Sequence, residues 1–384
     1  MDFRKSARHQ AFRREVQEFI EQHVTDDMLE RAWHTGTLHN DDLHRAIAQK
    51  GWVGAPWPVE LGGLGTPAAE FGPYWEAMHY AGAPVDGQQI TEMVAQVIVE
   101  FGTDEQKRAL LPGVLAGDTL FCLGFSEPES GSDLASVKSR ADRVDGGYVI
   151  NAAKMFTTLS QVSNYAFLLA RTDPSAAKKH KGLTMFLVPL DDPGVEIRPI
   201  RTFGGERTNA TFYTDVFVPD SLRIGPENAG WNVIAVALEA ERASIGGYLA
   251  QARRLFDDVL DVVTDGGAAA PRPELKVRLA EFSADLEAAA ALVDRCFCQL
   301  DSGEPIAVSA AMTKLFVTEV FKNLAHAALD MIGPEALLAP GHHRVSGRVS
   351  FEHVFRHSQV STIYGGSSEV QRNIIAGRGL GLGR

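Results

Sequence analysis

Cysteine is scarce: Cys122, Cys296 and Cys298 are the only three in 384 residues, too few for a disulfide framework. Cys296-x-Cys298 has no second pair to complete a zinc site, and the 12 histidines show no metal spacing, His342-His343 reading as a loop pair. A reducing compartment is expected. Basic residues are outnumbered, 37 Lys and Arg against 49 Asp and Glu, and a net charge of -12 leaves no excess to pair with phosphates. Nucleic acid and anionic membrane are therefore excluded as main partners. A local basic run, Lys178-Lys179-His180-Lys181, reads as a solvated loop. Long apolar stretches are also missing: none approaches the roughly 18 residues of a membrane span, and the opening "MDFRKSARHQAFRREVQEFI" is charged throughout where a signal peptide would be apolar. A soluble, cytoplasmic protein is the expectation. No G-x-G-x-x-G follows a strand-like run and no G-x-x-x-x-G-K-S/T occurs, which argues against a nicotinamide-binding Rossmann domain and a P-loop.

What is present falls into three blocks. Residues 9 to about 119 carry helical periodicity, broken by "GWVGAPWPVELGGLGTP" (51–67), whose Gly and Pro density marks an ordered loop. The runs "TLFCLGF", "YVINAAKMFTT", "YAFLLART", "LTMFLVPL" and "ATFYTDVFVP" follow, rich in β-branched and aromatic residues and separated by turn sequences such as Asp145-Gly146-Gly147. Helical spacing then returns. Ile234, Leu238, Glu241, Ile245, Leu249, Ala252, Phe256, Val259 and Val263 recur about every 3.6 residues, and Leu275, Leu279, Phe282, Leu286, Ala289, Val293, Phe297 and Leu300 do the same. A third helix runs near 305–332 through Met312, Leu315, Leu324 and Met331, and the segment after 366 supplies a fourth. The expected fold is multi-domain α+β: a helical domain at 1–119, a barrel-like β domain at 120–229, and a four-helix bundle at 230–384.

Two features carry candidate chemistry. Glu241 is the one carboxylate in an otherwise apolar stripe, so it is turned inward, where desolvation would make it a stronger base. A buried ion pair with an Arg of another helix is the more ordinary explanation of the same position, and periodicity alone does not decide between them. Glu239, about 160° around the helix, lies off that stripe. The loop "FSEPESGSD" (125–133) directly follows a strand and exposes backbone N–H groups and hydroxyls that could hold a phosphate or a ring edge, or form only a polar turn.

"FSEPESGSD" resembles a signature of the acyl-CoA dehydrogenase family. So, in the same order along nearly the whole chain, do "EFGTDEQKRALLPGVLAGD" (100–118), "KMFTT" (154–158), "TDVFVPDSLRIGPENAGW" (214–231) and "YGGSSEVQRNIIA" (364–376). The resemblance implies FAD and an acyl-CoA thioester bound between the β domain and the bundle, α,β-dehydrogenation to a trans-2-enoyl-CoA, and electron-transferring flavoprotein as acceptor. It assigns Phe125, Ser126, Gly131 and Ser132 to flavin contacts, Ser132 also to the acyl-CoA. Phe156 takes the place of an aromatic that packs on the isoalloxazine, although alone it would read as a strand-core Phe. Thr158 takes that of a hydroxyl bonding the ring, and Ser367 and Glu369 align with further flavin contacts. Glu239 and Arg242 fall where the family touches substrate, and Gly366 where a backbone N–H, with a flavin ribityl hydroxyl, meets the thioester carbonyl. Family members place the base either just after the Tyr of the C-terminal motif, here Gly365, or on the helix that "ALEAERASIGG" (237–247) resembles, as a Glu preceding an Arg. The second arrangement matches Glu241-Arg242, making Glu241 the Cα-proton base with hydride passing from Cβ to flavin N5.

The chain departs from the family at the contact made across subunits. Thr264 stands where an Arg usually reaches a neighbour's flavin pyrophosphate, and Pro334 stands where a second Gly of the assisting turn is expected. Either Arg272, Arg278 or another Arg substitutes, or a paralogous subunit supplies the Arg in a hetero-oligomer. A flavin monooxygenase or oxidase on the same scaffold and a non-catalytic partner subunit are the alternatives. The kept Glu241-Arg242 pair and flavin signature speak against both.

Overall fold

The computed structural model describes residues 6–240, 246–265, 273–338 and 350–383. The first block is helical: α1 (Ala7–His23), α2 (Asp26–Thr35), α3 (Asp41–Gln49), α4 (Ala68–Ala81), α5 (Asp86–Phe101) and α6 (Asp104–Leu115). Ser6, Thr25, Asn40 and Thr103 start α1, α2, α3 and α6, each side chain accepting from the N–H three residues on. The 51–67 loop is ordered by close packing: a Cβ on Gly63 would come 2.2 Å from the Trp57 carbonyl oxygen.

The middle block is one eight-stranded sheet of β1 (Phe121–Gly124), β2 (Arg140–Val144), β3 (Gly147–Lys154), β4 (Tyr165–Arg171), β5 (Leu183–Pro189), β6 (Val195–Arg201), β7 (Arg207–Pro219) and β8 (Arg223–Ile224). The strand order is β6-β7-β3-β2-β4-β5-β8, with β1 parallel to β4. Both faces of β4 and β5 are covered. Phe167, Leu169, Met185 and Leu187 pack into the core of the N-terminal helices, while Ala166, Leu168, Phe186 and Val188 meet Tyr148, Tyr213 and Val218 on the other side. Two-sided burial is why these strands read as apolar runs with no alternation. β2 and β6 escape a hydrophobicity reading because they are charged and largely exposed, β6 lying at the sheet edge where Pro199 costs no ladder bond. "YVINAAKMFTT" is not one strand as expected: β3 ends at Lys154, and Phe156 and Leu159 adopt positive φ.

The last block contains α7 (Gly230–Ala240), α8 (Gly246–Asp265), α9 (Pro273–Asp301), α10 (Ala307–Ile332), α11 (Phe351–Ser361) and α12 (Ser368–Ile374). Stripe residues Leu249, Ala252 and Val259 of α8, Leu279, Leu286, Ala289, Val293 and Phe297 of α9, and Leu324 and Met331 of α10 form one core, joined by Phe351 of α11. The helical stripe that begins at Ile234 serves two cores. Val233, Ile234 and Ala237 of α7 are buried with the N-terminal helices and the sheet, whereas its continuation on α8 faces the bundle.

Candidate active site

The loop after β1 is fixed by a buried ion pair. Lys154, fully buried at the end of β3, donates to Glu127 Oε1 (2.9 Å) and to the carbonyls of Phe125 (3.2 Å) and Leu169 (2.8 Å). Glu127 also accepts from the Lys138 N–H (2.7 Å) and from the Ser139 N–H (3.0 Å) and hydroxyl (2.5 Å). Burial pushes the Glu127 carboxyl up, but the Lys154 charge and these donors outweigh it and leave the pKa lowered. Burial pulls the Lys154 ammonium down to about 8 against the attraction of Glu127. The pair was not anticipated; its sequence signal was a lysine at the end of an apolar strand.

This strut sets "FSEP" beside "KMFTT". Ser126 O accepts from the Met155 N–H at 2.9 Å, so Ser126 and Phe156 lie on adjoining backbones. Phe156 is no strand-core residue: it is 62% exposed at φ 59, an aromatic held outward on backbone that L-residues rarely adopt. The turn beneath it is clamped by the Thr157 N–H on Asn209 O (2.8 Å), by the Asn209 amide on Thr157 O (3.0 Å), and by a Thr158–Thr208 hydroxyl contact (3.1 Å). Gly131 and Ser132 are exposed, and a Cβ on Gly131 would meet nothing within 4 Å. The Phe125 side chain, in contrast, packs in the core against Phe167.

The β6–β7 turn joins these loops to the C-terminal helices. Glu206 contacts His357 Nδ1 of α11 at 2.5 Å and accepts from Thr202 Oγ1 at 2.7 Å, while Arg356 donates to Phe203 O. Burial raises Glu206, but the His357 hydrogen bond and charge bring it down to about 2. Burial opposes the His357 charge, yet Glu206 and, behind it, Asp86 raise its pKa. α11 runs directly into Tyr364-Gly365-Gly366, where both glycines have positive φ, 62 and 85. Ser367 caps α12, its hydroxyl accepting from the Val370 N–H, and Ser368 donates to Glu319 of α10 at 2.6 Å. Glu369 is exposed, 3.9 Å from Arg372.

Among the sequence-predicted residues, Ser126, Phe156 and Thr158 sit together just past the ends of β1 and β3, and Gly366 and Ser367 on the turn between α11 and α12. The Thr202–Thr208 segment bridges them through Thr158 on one side and His357 on the other. Glu241 and Arg242 lie outside the described residues, as does Arg272, and Glu239 is placed only as backbone in α7. Thr264, at the end of α8, spends its hydroxyl on the Leu260 carbonyl (2.8 Å), and Arg278 lies 3.8 Å from Asp330.

Comparison with known proteins follows the same division. The acyl-CoA dehydrogenase N-terminal, middle and C-terminal domain families match residues 6–118, 122–216 and 228–380. The acyl-CoA dehydrogenase FadE26 of Mycobacterium tuberculosis is 36% identical over 365 residues, covering 91% of this chain and 89% of its own. A solved structure described as the Tcur3481-Tcur3483 steroid ACAD superposes with a TM-score of 0.93 at 31% identity over the full length of both chains. The ChsE4-ChsE5 complex of Mycobacterium tuberculosis gives 0.88 at 30% identity, again over both whole chains.

Proposed function

Because the chain belongs to the acyl-CoA dehydrogenase family, and so is an FAD-dependent oxidoreductase acting on acyl-CoA thioesters, we propose that Glu241 is its Cα-proton base. One observation carries this reading: Gly365, the residue after Tyr364, has no side chain, so no carboxylate can come from that position. The apolar side of α7, Val233, Ile234 and Ala237, is buried and leads in sequence toward Glu241 four residues beyond Ala237. A carboxylate continuing that side would be desolvated and correspondingly basic.

The residues present fit a flavin. Phe156 offers an exposed aromatic face on strained backbone, Ser126 and Thr158 supply polar atoms on the adjoining backbone, and Ser132 is exposed on the loop after β1. Ser367 and Glu369 complete the set from α12. FAD, when bound, supplies the acceptor for the hydride that leaves Cβ. The chain's own part is the proton and the charge. Glu241 takes the Cα proton while the Gly366 N–H stabilises the negative charge growing on the thioester oxygen, and Glu239, Arg242 and Ser132 hold the acyl-CoA. Burial of Glu241 by the ligand removes competing water and strengthens the base.

The reading extends to assembly and substrate. Thr264 in place of an arginine supports a hetero-oligomer in which a paralogous subunit completes the flavin pyrophosphate contact, and the likeness to the ChsE4-ChsE5 complex supports it further. The likeness to the steroid ACAD supports a bulky, ring-bearing acyl group, with electron-transferring flavoprotein as acceptor. The base assignment is tested by incubating holoenzyme with acyl-CoA in D₂O. Wild type exchanges the Cα proton and Glu241→Gln does not; equal exchange by both would remove Glu241 from the role.

A further inference from the structure

The run Lys178-Lys179-His180-Lys181 reads in sequence as a solvated loop, but between β4 and β5 it is pinned on two sides. Arg171, at the end of β4, donates to the carbonyls of Lys179 (3.0 Å) and Lys181 (3.1 Å) within the run and to those of Ala135 (2.9 Å) and Val137 (3.3 Å), which follow the loop after β1. Lys179 Nζ reaches Asp133 Oδ2 at 2.5 Å, one residue past the exposed Ser132. The other side is tied to the start of α7: Thr172 donates to Asn228 Oδ1 (2.7 Å), the Asn228 N–H donates to Thr184 (2.9 Å), and Leu183 pairs with Ala229 as a β-bridge. A Cβ on Gly230 would come 2.8 Å from the Leu183 carbonyl oxygen, so the helix starts this close only because it starts at glycine. The next residue, Trp231, stands 37% exposed with the His180 ring 6.4 Å away. Charge in this platform is unevenly spent. Lys179 is taken by Asp133, and Asp173 by the Ser175 N–H and hydroxyl. Lys178 and Lys181 are exposed and have no ion-pair partner among the described residues. A chain of net charge -12 thus places two uncommitted ammonium groups beside its one exposed tryptophan. Phosphate and an aromatic base are the ligand groups that match them.

We propose that Lys178, Lys181 and Trp231 seat the 3′-phosphoadenosine diphosphate end of coenzyme A, the two ammonium groups pairing with its phosphates and the indole stacking on adenine, with His180 at the edge of the stack. The inference rests on the chain's action on acyl-CoA thioesters and is independent of which residue is the base. The reach agrees with it. Glu239, assigned to the acyl-CoA, lies eight residues beyond Trp231 on the same helix, about 12 Å along its axis, so the pantetheine arm runs beside α7 between the two. Ser132, on the loop that Lys179 fastens, flanks the same path. Contacts at this end are remote from the reacting carbons and contribute affinity common to every acyl group.

The test is calorimetric titration of oxidised holoenzyme with CoA, 3′-dephospho-CoA and pantetheine, which share the thiol arm and differ only at this end. Wild type binds CoA about 10- to 100-fold more tightly than pantetheine, with 3′-dephospho-CoA between them. Replacing both lysines, Lys178→Ala with Lys181→Ala, costs about 10-fold toward CoA, less toward 3′-dephospho-CoA and nothing toward pantetheine, and the Lys178→Arg, Lys181→Arg pair restores the affinity. Trp231→Ala weakens CoA and 3′-dephospho-CoA alike, by about 5- to 10-fold. CoA bound no more tightly than pantetheine, or lysine variants that keep the wild-type preference, would overturn the seat and leave the acyl-CoA chemistry standing. Equal weakening of pantetheine by Trp231→Ala would overturn the stacking role, by showing that the indole shapes α7 instead. Wild type that binds none of the three would sink the acyl-CoA reading and the seat together.

Discussion

At the scale of single residues, the site depends on two side chains in costly positions. Phe156 pays for its outward aim with a positive φ that a glycine would adopt freely. Phe156→Gly should therefore raise the thermal midpoint of the apoprotein while weakening flavin retention about 3- to 10-fold, the worth of one aromatic stacking contact. Flavin dissociation measured beside apoprotein melting separates the two effects. Lys154 is the opposite case, a buried charge whose removal strands Glu127, itself 8% exposed in its side chain. Lys154→Met should destabilise the β domain by about 3–5 kcal/mol in chemical denaturation, because an unpaired buried carboxylate is worse than none. Neither role was legible in the residue alone. Phe156 stands in a run of strand formers, and only its resemblance to a flavin-packing aromatic set it apart; its backbone strain arises from the clamp by Asn209 and Thr208, more than fifty residues away.

At the scale of elements, the β6–β7 turn and α11 are fastened by Glu206 and His357, and the fastening depends on pH. Glu206, brought down to about 2, contributes stability that is complete above its ordinary pKa near 4.5 and is lost as pH falls toward 2. His357, raised above its ordinary 6.5, contributes stability that is complete below about 6.5 and is lost as pH rises through its folded value. The two overlap between about pH 4.5 and 6.5. Burial acts against this nearby, holding the Asp86 carboxyl up to about 6 and the His353 imidazole down to about 4; the His357 charge lowers both, so both titrate higher once it is removed. His357→Gln should thus cost about 2 kcal/mol across that window and progressively less above it, read from melting curves in a pH series. Elements built on apolar periodicity were legible: α9 lies where its stripe placed it, and β4 and β5 where their apolar runs did. The charged edge strand β6 was not, because an exposed edge needs no hydrophobic pattern, and the division of labour between α7 and α8 was not, because one helical period serves either core equally well.

At the scale of the whole molecule, three sequence blocks become three structural ones: helices, then one sheet, then helices. The hetero-oligomer reading predicts that the chain purified alone holds less than one tightly bound FAD, and that co-expression with its paralogous subunit restores full occupancy. One tight flavin per chain without a partner would rule that reading out. The account as a whole stands on where the base is. Anaerobic titration of wild-type and Glu241→Gln holoenzyme with ring-bearing and straight-chain acyl-CoAs, followed by flavin absorbance, addresses it most directly. The account predicts that substrate bleaches the wild type and leaves the variant oxidised although it still binds; equal bleaching of both would contradict it.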